Sequence, residues 1–314
     1  MKPKNTKEKI LTNKIVVALV AMCCCALWGS AFPCIKIGYE LFDINNSDTV
    51  MQILFAGLRF AIAGIMVIIF GSFMNKKVMR PSKNEYSKVI ILSLFQTIYQ
   101  YVFFYIGLAH TSGVKASIII GSNVFIAIFA ACFIFKQEKI TSNKLIGCIV
   151  GFAGVIVINV VGADVSMEFS FVGEGFVFLA ATSYAISSAL IKKYSLSSDT
   201  IMLSGYQFLF GGVVMSVVGV MLGGRIRVAN IEQLGMLLYL ALISAVAYSL
   251  WTVLLKYNSV SKVSVFGFMN PVWGVILSTV LLDEGKDILS VESFVSLVLV
   301  CAGIVVVNVN SKSA

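Results

Sequence analysis

Trp28, Gln96, Tyr99, Gln100, Asn123, Tyr184, Tyr248, Trp251 and Asn270 each interrupt a long apolar run. An amide, phenol or indole N–H is costly there unless it meets a partner or faces a cavity. The chemistry these types suit is binding: aromatic walls with a few amides and hydroxyls orient a small polar solute. Ser244, Tyr248, Trp251 and Thr252 fall at i, i+4, i+7 and i+8 and so share one helical face, as do Gln96, Gln100 and Phe103. Ser122, Ser187 and Ser188 add hydroxyls. The same residues also suit helix packing or an interfacial aromatic belt, and spacing leaves that alternative open. In Asn270-Pro271 the proline removes a backbone hydrogen bond and bends a helix, which makes Pro271 a candidate hinge.

What is missing narrows the chemistry further. No G-x-S-x-G, H-E-x-x-H or pair of mid-run aspartates occurs, so no enzyme activity is expected. Cys23, Cys24, Cys25, Cys34, Cys132, Cys148 and Cys301 form no CxxC pair and read as small buried hydrophobes, with no metal or cofactor expected. No Asp or Glu stands near the middle of a run, which disfavours exchange of protons for cationic drugs at a buried carboxylate. Arg59 lies well inside a run and is expected to snorkel or to bond helix-end carbonyls, with substrate contact as the alternative. Lys36, Glu40, Glu174 and His110 are expected in solvent or headgroups, with gating of entry as the alternative for the first three, and Glu138 and Glu284 in structural roles.

The elements that must position these residues follow from composition. Of 314 residues, 59% are hydrophobic and 12% charged, with a mean hydropathy of +0.94. Soluble domains run at about 45–50% and about 25%. A spanning helix needs about 20 apolar residues, and runs of that kind fall at 15–38, 50–73, 87–107, 114–135, 143–160, 173–194, 200–222, 235–256, 262–282 and 290–309. The expected fold is all-α integral membrane, with ten transmembrane helices and connections too short for a soluble domain. Residues 1–14 form a basic tail, and the first run lacks an A-x-A-like cleavage site, so it is read as retained. With the N-terminus cytoplasmic, 18 of the 24 Lys and Arg face inward, which places both termini in the cytoplasm of a multi-pass cell-membrane protein.

The chain also repeats itself. Lys115 and Asn123 match Lys262 and Asn270 at an offset of 147, Glu138 matches Glu284 at 146, and residues 154–160 match 303–309 at 149. Arg59-Phe60 pairs with Gln207-Phe208. Residues 15–160 are therefore read as one five-helix repeat and 173–309 as a second. An odd repeat must enter the membrane from the opposite side, giving two inverted five-helix repeats and, from that symmetry, alternating access around a midplane site.

Ala-Leu-Trp-Gly-Ser-Ala-Phe at 26–32 followed by Lys36, Leu-Arg-Phe at 58–60, and the helix from Asn270-Pro271 to Asp283-Glu284 with its first-half counterpart ending at Gln137-Glu138 resemble an EamA-type member of the drug/metabolite transporter superfamily. The resemblance covers 15–309 and implies a carrier whose helices 1, 3, 4, 6, 8 and 9 line a central cavity. The nine residues named at the outset lie on those six helices. The chain departs from the family where Asn123-Val124-Phe125 replaces a mid-helix proline. Relatives of this kind mostly export amino acids and related metabolites, so the expected function is secondary transport of amino acids or amino-acid-like solutes out of the cell. Alternatives are a proton-coupled multidrug exporter, an uptake carrier for nucleosides or other neutral metabolites, and, in a different class, a membrane receptor or structural protein. The expected partners are a small-molecule substrate and membrane lipids, not nucleic acid. A monomer suffices mechanistically and a homodimer is compatible.

Overall fold

The computed structural model describes residues 6–45, 47–108, 110–111, 116, 119–160, 169–282 and 291–309. Lys2, Lys4, Lys115, Asp164, Glu168, Asp283, Glu284, Asp287 and Lys312 lie outside them.

The described parts of the apolar runs are helical apart from Ser122, Phe135 and Leu222. After a short helix Thr6–Thr12 come α1 (Lys14–Leu41), α2 (Thr49–Met74), α3 (Tyr86–Leu108), α4 (Ile119–Ile134), α5 (Ser142–Val160), α6 (Phe171–Tyr194), α7 (Thr200–Met221), α8 (Ile231–Tyr257), α9 (260–282) and α10 (Val291–Val309). Among the described residues α1, α2, α3, α6, α7 and α8 are long and apolar enough to cross a bilayer, and α4, α5 and α10 contain shorter apolar helices. The outer surface is apolar, with Leu19, Phe70, Phe73, Val217 and Phe294 all exposed, as lipid contact requires.

Polar caps set where helices begin. Asn13 accepts from the N–H of Ile15 at 2.9 Å, Asp48 from Met51 at 3.0 Å, Asp199 from Ile201 and Met202 at 2.9 Å, and Asn230 from Gln233 at 2.8 Å. Each satisfies an N–H that the helix cannot. Among the described residues, four helices are not uniformly wound. Leu94–Tyr99 in α3, Ala130–Ile134 in α4 and Phe171–Gly175 in α6 are π-helical turns, and Val265–Phe268 in α9 is a 3-10 turn just before Asn270-Pro271. The expected irregularity at Pro271 therefore sits in the tightened turn N-terminal to it.

The α2–α7 and α5–α10 pairs are among those that approach closely enough to need glycine. A Cβ on Gly57 would stand 3.0 Å from Gly212 O, and one on Gly64 would stand 2.7 Å from Gly205 O, so the backbones of α2 and α7 touch. The contacts of α5 and α10 have the same form: Gly147 meets Gly303 O at 2.7 Å, and Gly154 meets Ser296 O at 2.8 Å. At the central layer α1 packs on α8 and α9, while α6 packs on α3 and α4.

Candidate functional site

α1, α3, α6 and α8 converge on a cluster of aromatic rings. Trp28, halfway along α1, meets Tyr248 at 4.9 Å and Trp251 at 5.0 Å, both edge-on. Tyr248 and Trp251 project from one face of α8, as their i, i+3 spacing dictates. The Tyr248 hydroxyl hydrogen-bonds the Tyr101 hydroxyl of α3 at 3.1 Å, and its ring meets Phe208 of α7 at 4.9 Å. Phe208 stacks on Phe60 of α2 at 5.3 Å, and Phe60 contacts Tyr101 at 4.5 Å. Tyr184 of α6 lies within electrostatic reach of both Tyr101 and Tyr248. Six helices thus contribute to one continuous wall.

Several polar atoms on α1, α3, α8 and α9 have no protein partner. Trp28 Nε1, Trp251 Nε1, Trp273 Nε1, Gln100 Oε1 and Asn270 Oδ1 are buried and unbonded, as are both amide atoms of Gln96. Each buried polar atom without a partner costs about 1–3 kcal/mol, so their number marks this as a place built to be met by water or a ligand. Other polar residues are consumed by packing. Thr97 donates to Gln207 Oε1 at 2.8 Å, Ser204 to Thr252 at 3.3 Å, and Ser187 and Ser188 to the Tyr184 carbonyl at 2.7 and 3.2 Å.

The structure brings Trp28, Tyr184, Tyr248 and Trp251 together and leaves Gln96, Gln100 and Asn270 with unmet polar atoms. Asn123 Oδ1 faces Gly267 of α9. Tyr99 is the exception: it is 42% exposed, on a stripe with Phe95 and Phe103 away from the cluster. The cause is the π turn at Leu94–Tyr99, which carries one more residue per turn than an α-helix. The buried face of Gln96 therefore continues at Tyr101 and Tyr105, five residues and then four on, in place of Gln100 and Phe103. Tyr101, Phe60 and Phe208 join the site although spacing did not select them; the match of Arg59-Phe60 to Gln207-Phe208 was the signal that could have found the last two.

Two charged groups, Arg59 and Glu174, also depart from expectation. Arg59 is 4% exposed, its Nε is unbonded, and among the described residues no hydrogen bond or ion pair reaches its guanidinium, so it neither snorkels nor binds helix-end carbonyls. Its guanidinium carbon lies 4.5 Å from the Phe60 ring centroid and 5.8 Å from that of Tyr101. Glu174 is buried, accepting from the Thr111 hydroxyl at 2.6 Å and the Ser170 N–H at 2.7 Å, and so closes the start of α6 in place of a solvated position. Glu138 bonds Lys144 at 2.7 Å and the N–H and hydroxyl of Ser261, tying the end of α4 to the start of α9. His110 is exposed, its Nδ1 2.8 Å from Ile106 O.

A sequence profile of the EamA-like transporter family matches residues 15–160 and again 171–309. An uncharacterized transporter of Archaeoglobus fulgidus is 27% identical, covering 83% of this chain and 87% of its own. A WAT1-related chloroplastic protein of Arabidopsis thaliana is 27% identical over 90% of this chain and 66% of its own, and the uncharacterized transporter YvbV of Bacillus subtilis is 24% identical over 91% and 90%. A solved crystal structure superposes with a TM-score of 0.74 at 16% identity, covering 95% of this chain and 98% of that one, which shows a shared fold.

Proposed function

The chain belongs to the EamA-like transporter family, a multi-pass membrane family with two repeats, and from that premise we propose that it is an alternating-access carrier exporting amino acids or amino-acid-like solutes. The observation that carries this reading is the wall formed by Trp28, Tyr101, Tyr248 and Trp251 beside buried amide and indole groups that have no protein partner. Aromatic faces hold an apolar body or an ammonium, and fixed amides orient polar ends.

The carrier mechanism draws support from the glycine contacts. Gly57 and Gly64 correspond to Gly205 and Gly212 at the 148 offset of Arg59 and Gln207, yet Gly57 meets Gly212 and Gly64 meets Gly205. Likewise, at the offset of 149, Gly147 and Gly154 correspond to Ser296 and Gly303 but contact them crosswise. Crosswise contact between equivalent positions is how surfaces meet about a twofold axis, and it favours ten crossings in two inverted repeats. Such a chain has two nearly equivalent packings, one open to each side. The Lys and Arg distribution favours the cytoplasmic membrane with both termini inside.

Counterflow in proteoliposomes tests the reading, with labelled amino acids, nucleosides and cationic dyes offered with and without a proton gradient. Accumulation of an amino acid without a gradient is the expected outcome. Gradient-dependent movement of dyes alone would make the protein a drug exporter.

A further inference from the structure

Arg59 stands ten residues into α2, about 15 Å from its Thr49 end. A guanidinium does not lose its charge at any physiological pH, so its burial cannot be relieved by deprotonation. The groups around it are all neutral: the rings of Phe60 and Tyr101 within 5.8 Å, and Tyr39, Tyr105 and Tyr248 within electrostatic reach. Among the described residues the acidic side chains all lie at helix ends or in connections. Arg59 Nε is buried without a partner, and the Tyr39 hydroxyl is buried next to that of Tyr105.

The repeat shows that this charge is not a requirement of the fold. At the equivalent position the second half carries Gln207, whose Oε1 accepts from Thr97 at 2.8 Å. Of two equivalent positions, one is a neutral amide that shares a hydrogen bond through Oε1 and leaves Nε2 unpaired, and the other is a cation with no hydrogen bond among the described residues. Arg59 is also continuous with the aromatic wall, through Tyr101 to Tyr248, Trp28 and Trp251.

We propose that Arg59 is the receptor for the carboxylate of the transported solute, with the Tyr39 hydroxyl as a second donor and the Trp28–Tyr248 wall holding the solute's apolar body. This deepens the carrier reading and rests on it. A planar guanidinium matches one carboxylate in a two-point hydrogen-bonded pair. With one cation present, a phosphate dianion would be left half-neutralised, so the class is small monocarboxylates with an apolar or aromatic body.

The test uses the purified full-length chain and matched pairs: phenylalanine and phenylalaninamide, and 3-phenylpropionate and its amide, followed by tryptophan emission and thermal stabilisation. Binding of each carboxylate about tenfold or more tighter than its amide is expected, a modest difference for a charge-assisted pair. The two acids separate an amino-acid site from a simple carboxylate site. R59Q, which installs the amide that the second repeat tolerates, is expected to bring each pair within about threefold, and R59K to keep a weakened preference. An unchanged preference in R59Q overturns the proposal, as does equal binding of acids and amides by the wild type, absence of binding by both acids, or equal protection by chloride. Should R59Q fail to fold, the wild-type pairs and R59K still decide. In the companion counterflow assay, movement of amides as fast as acids removes Arg59 but leaves the carrier, whereas no movement of any solute removes both.

Discussion

Phe60 and Phe208 stack face to face, their centroids 5.3 Å apart and their planes 12° from parallel. They hold the same position in the two halves of the chain. Equivalent residues that touch each other lie at the axis relating their repeats, so this stack marks the centre of the α2–α7 crossing and places the Tyr101–Tyr248 hydrogen bond beside it.

The α2–α7 crossing depends on backbone approach. A Cβ at Gly64 would lie 2.4 Å from the Leu209 backbone nitrogen, which no side-chain rearrangement relieves, whereas Gly235 has nothing within 4 Å. Gly64→Ala is expected to lower the melting temperature in detergent by several degrees or abolish the folded yield, and Gly235→Ala to leave the stability within about 0.5 kcal/mol of wild type. Equal stability of the two variants would remove the close crossing.

Tyr101 and Tyr248 share a hydrogen bond within the site. Removing each hydroxyl singly and together by Phe substitution isolates their coupling. A double-mutant cycle on thermal stability should give about 0.5–1.5 kcal/mol. Additive effects would mean the two hydroxyls do not interact.

Trp251 is 1% exposed and Asn270 Oδ1 is unpartnered. Trp251→Ala and Asn270→Ala are expected to cut counterflow about tenfold or more while membrane insertion persists, since each removes a group with no other use for its polar atom. Unchanged kinetics in both at equal expression would strike them from the site.

Topology is open to labelling. Lys76, Lys77, Arg80 and Lys83 are exposed between α2 and α3 and are expected on the cytoplasmic side. In a background lacking all seven native cysteines, Lys83→Cys should react with an impermeant maleimide only after cells are opened. Labelling in intact cells would invert the orientation.

Composition and run length determined the helical membrane class, because burying backbone in lipid leaves few other solutions. The internal offsets pointed to two repeats, and the family model likewise matches the chain twice, at 15–160 and 171–309. Trp28, Tyr248 and Trp251 were also legible, since α1 and α8 wind regularly and 3.6-residue periodicity holds through them. Tertiary structure alone decided the face of α3 and the fate of Arg59. One π turn, a change in hydrogen-bond register that leaves no mark on apolar spacing, rotates Tyr101 and Tyr105 inward and Tyr99 outward. A cation ten residues into a helix is free to face lipid, water or core, and only the packing of α2 against its neighbours sealed Arg59 among neutral rings.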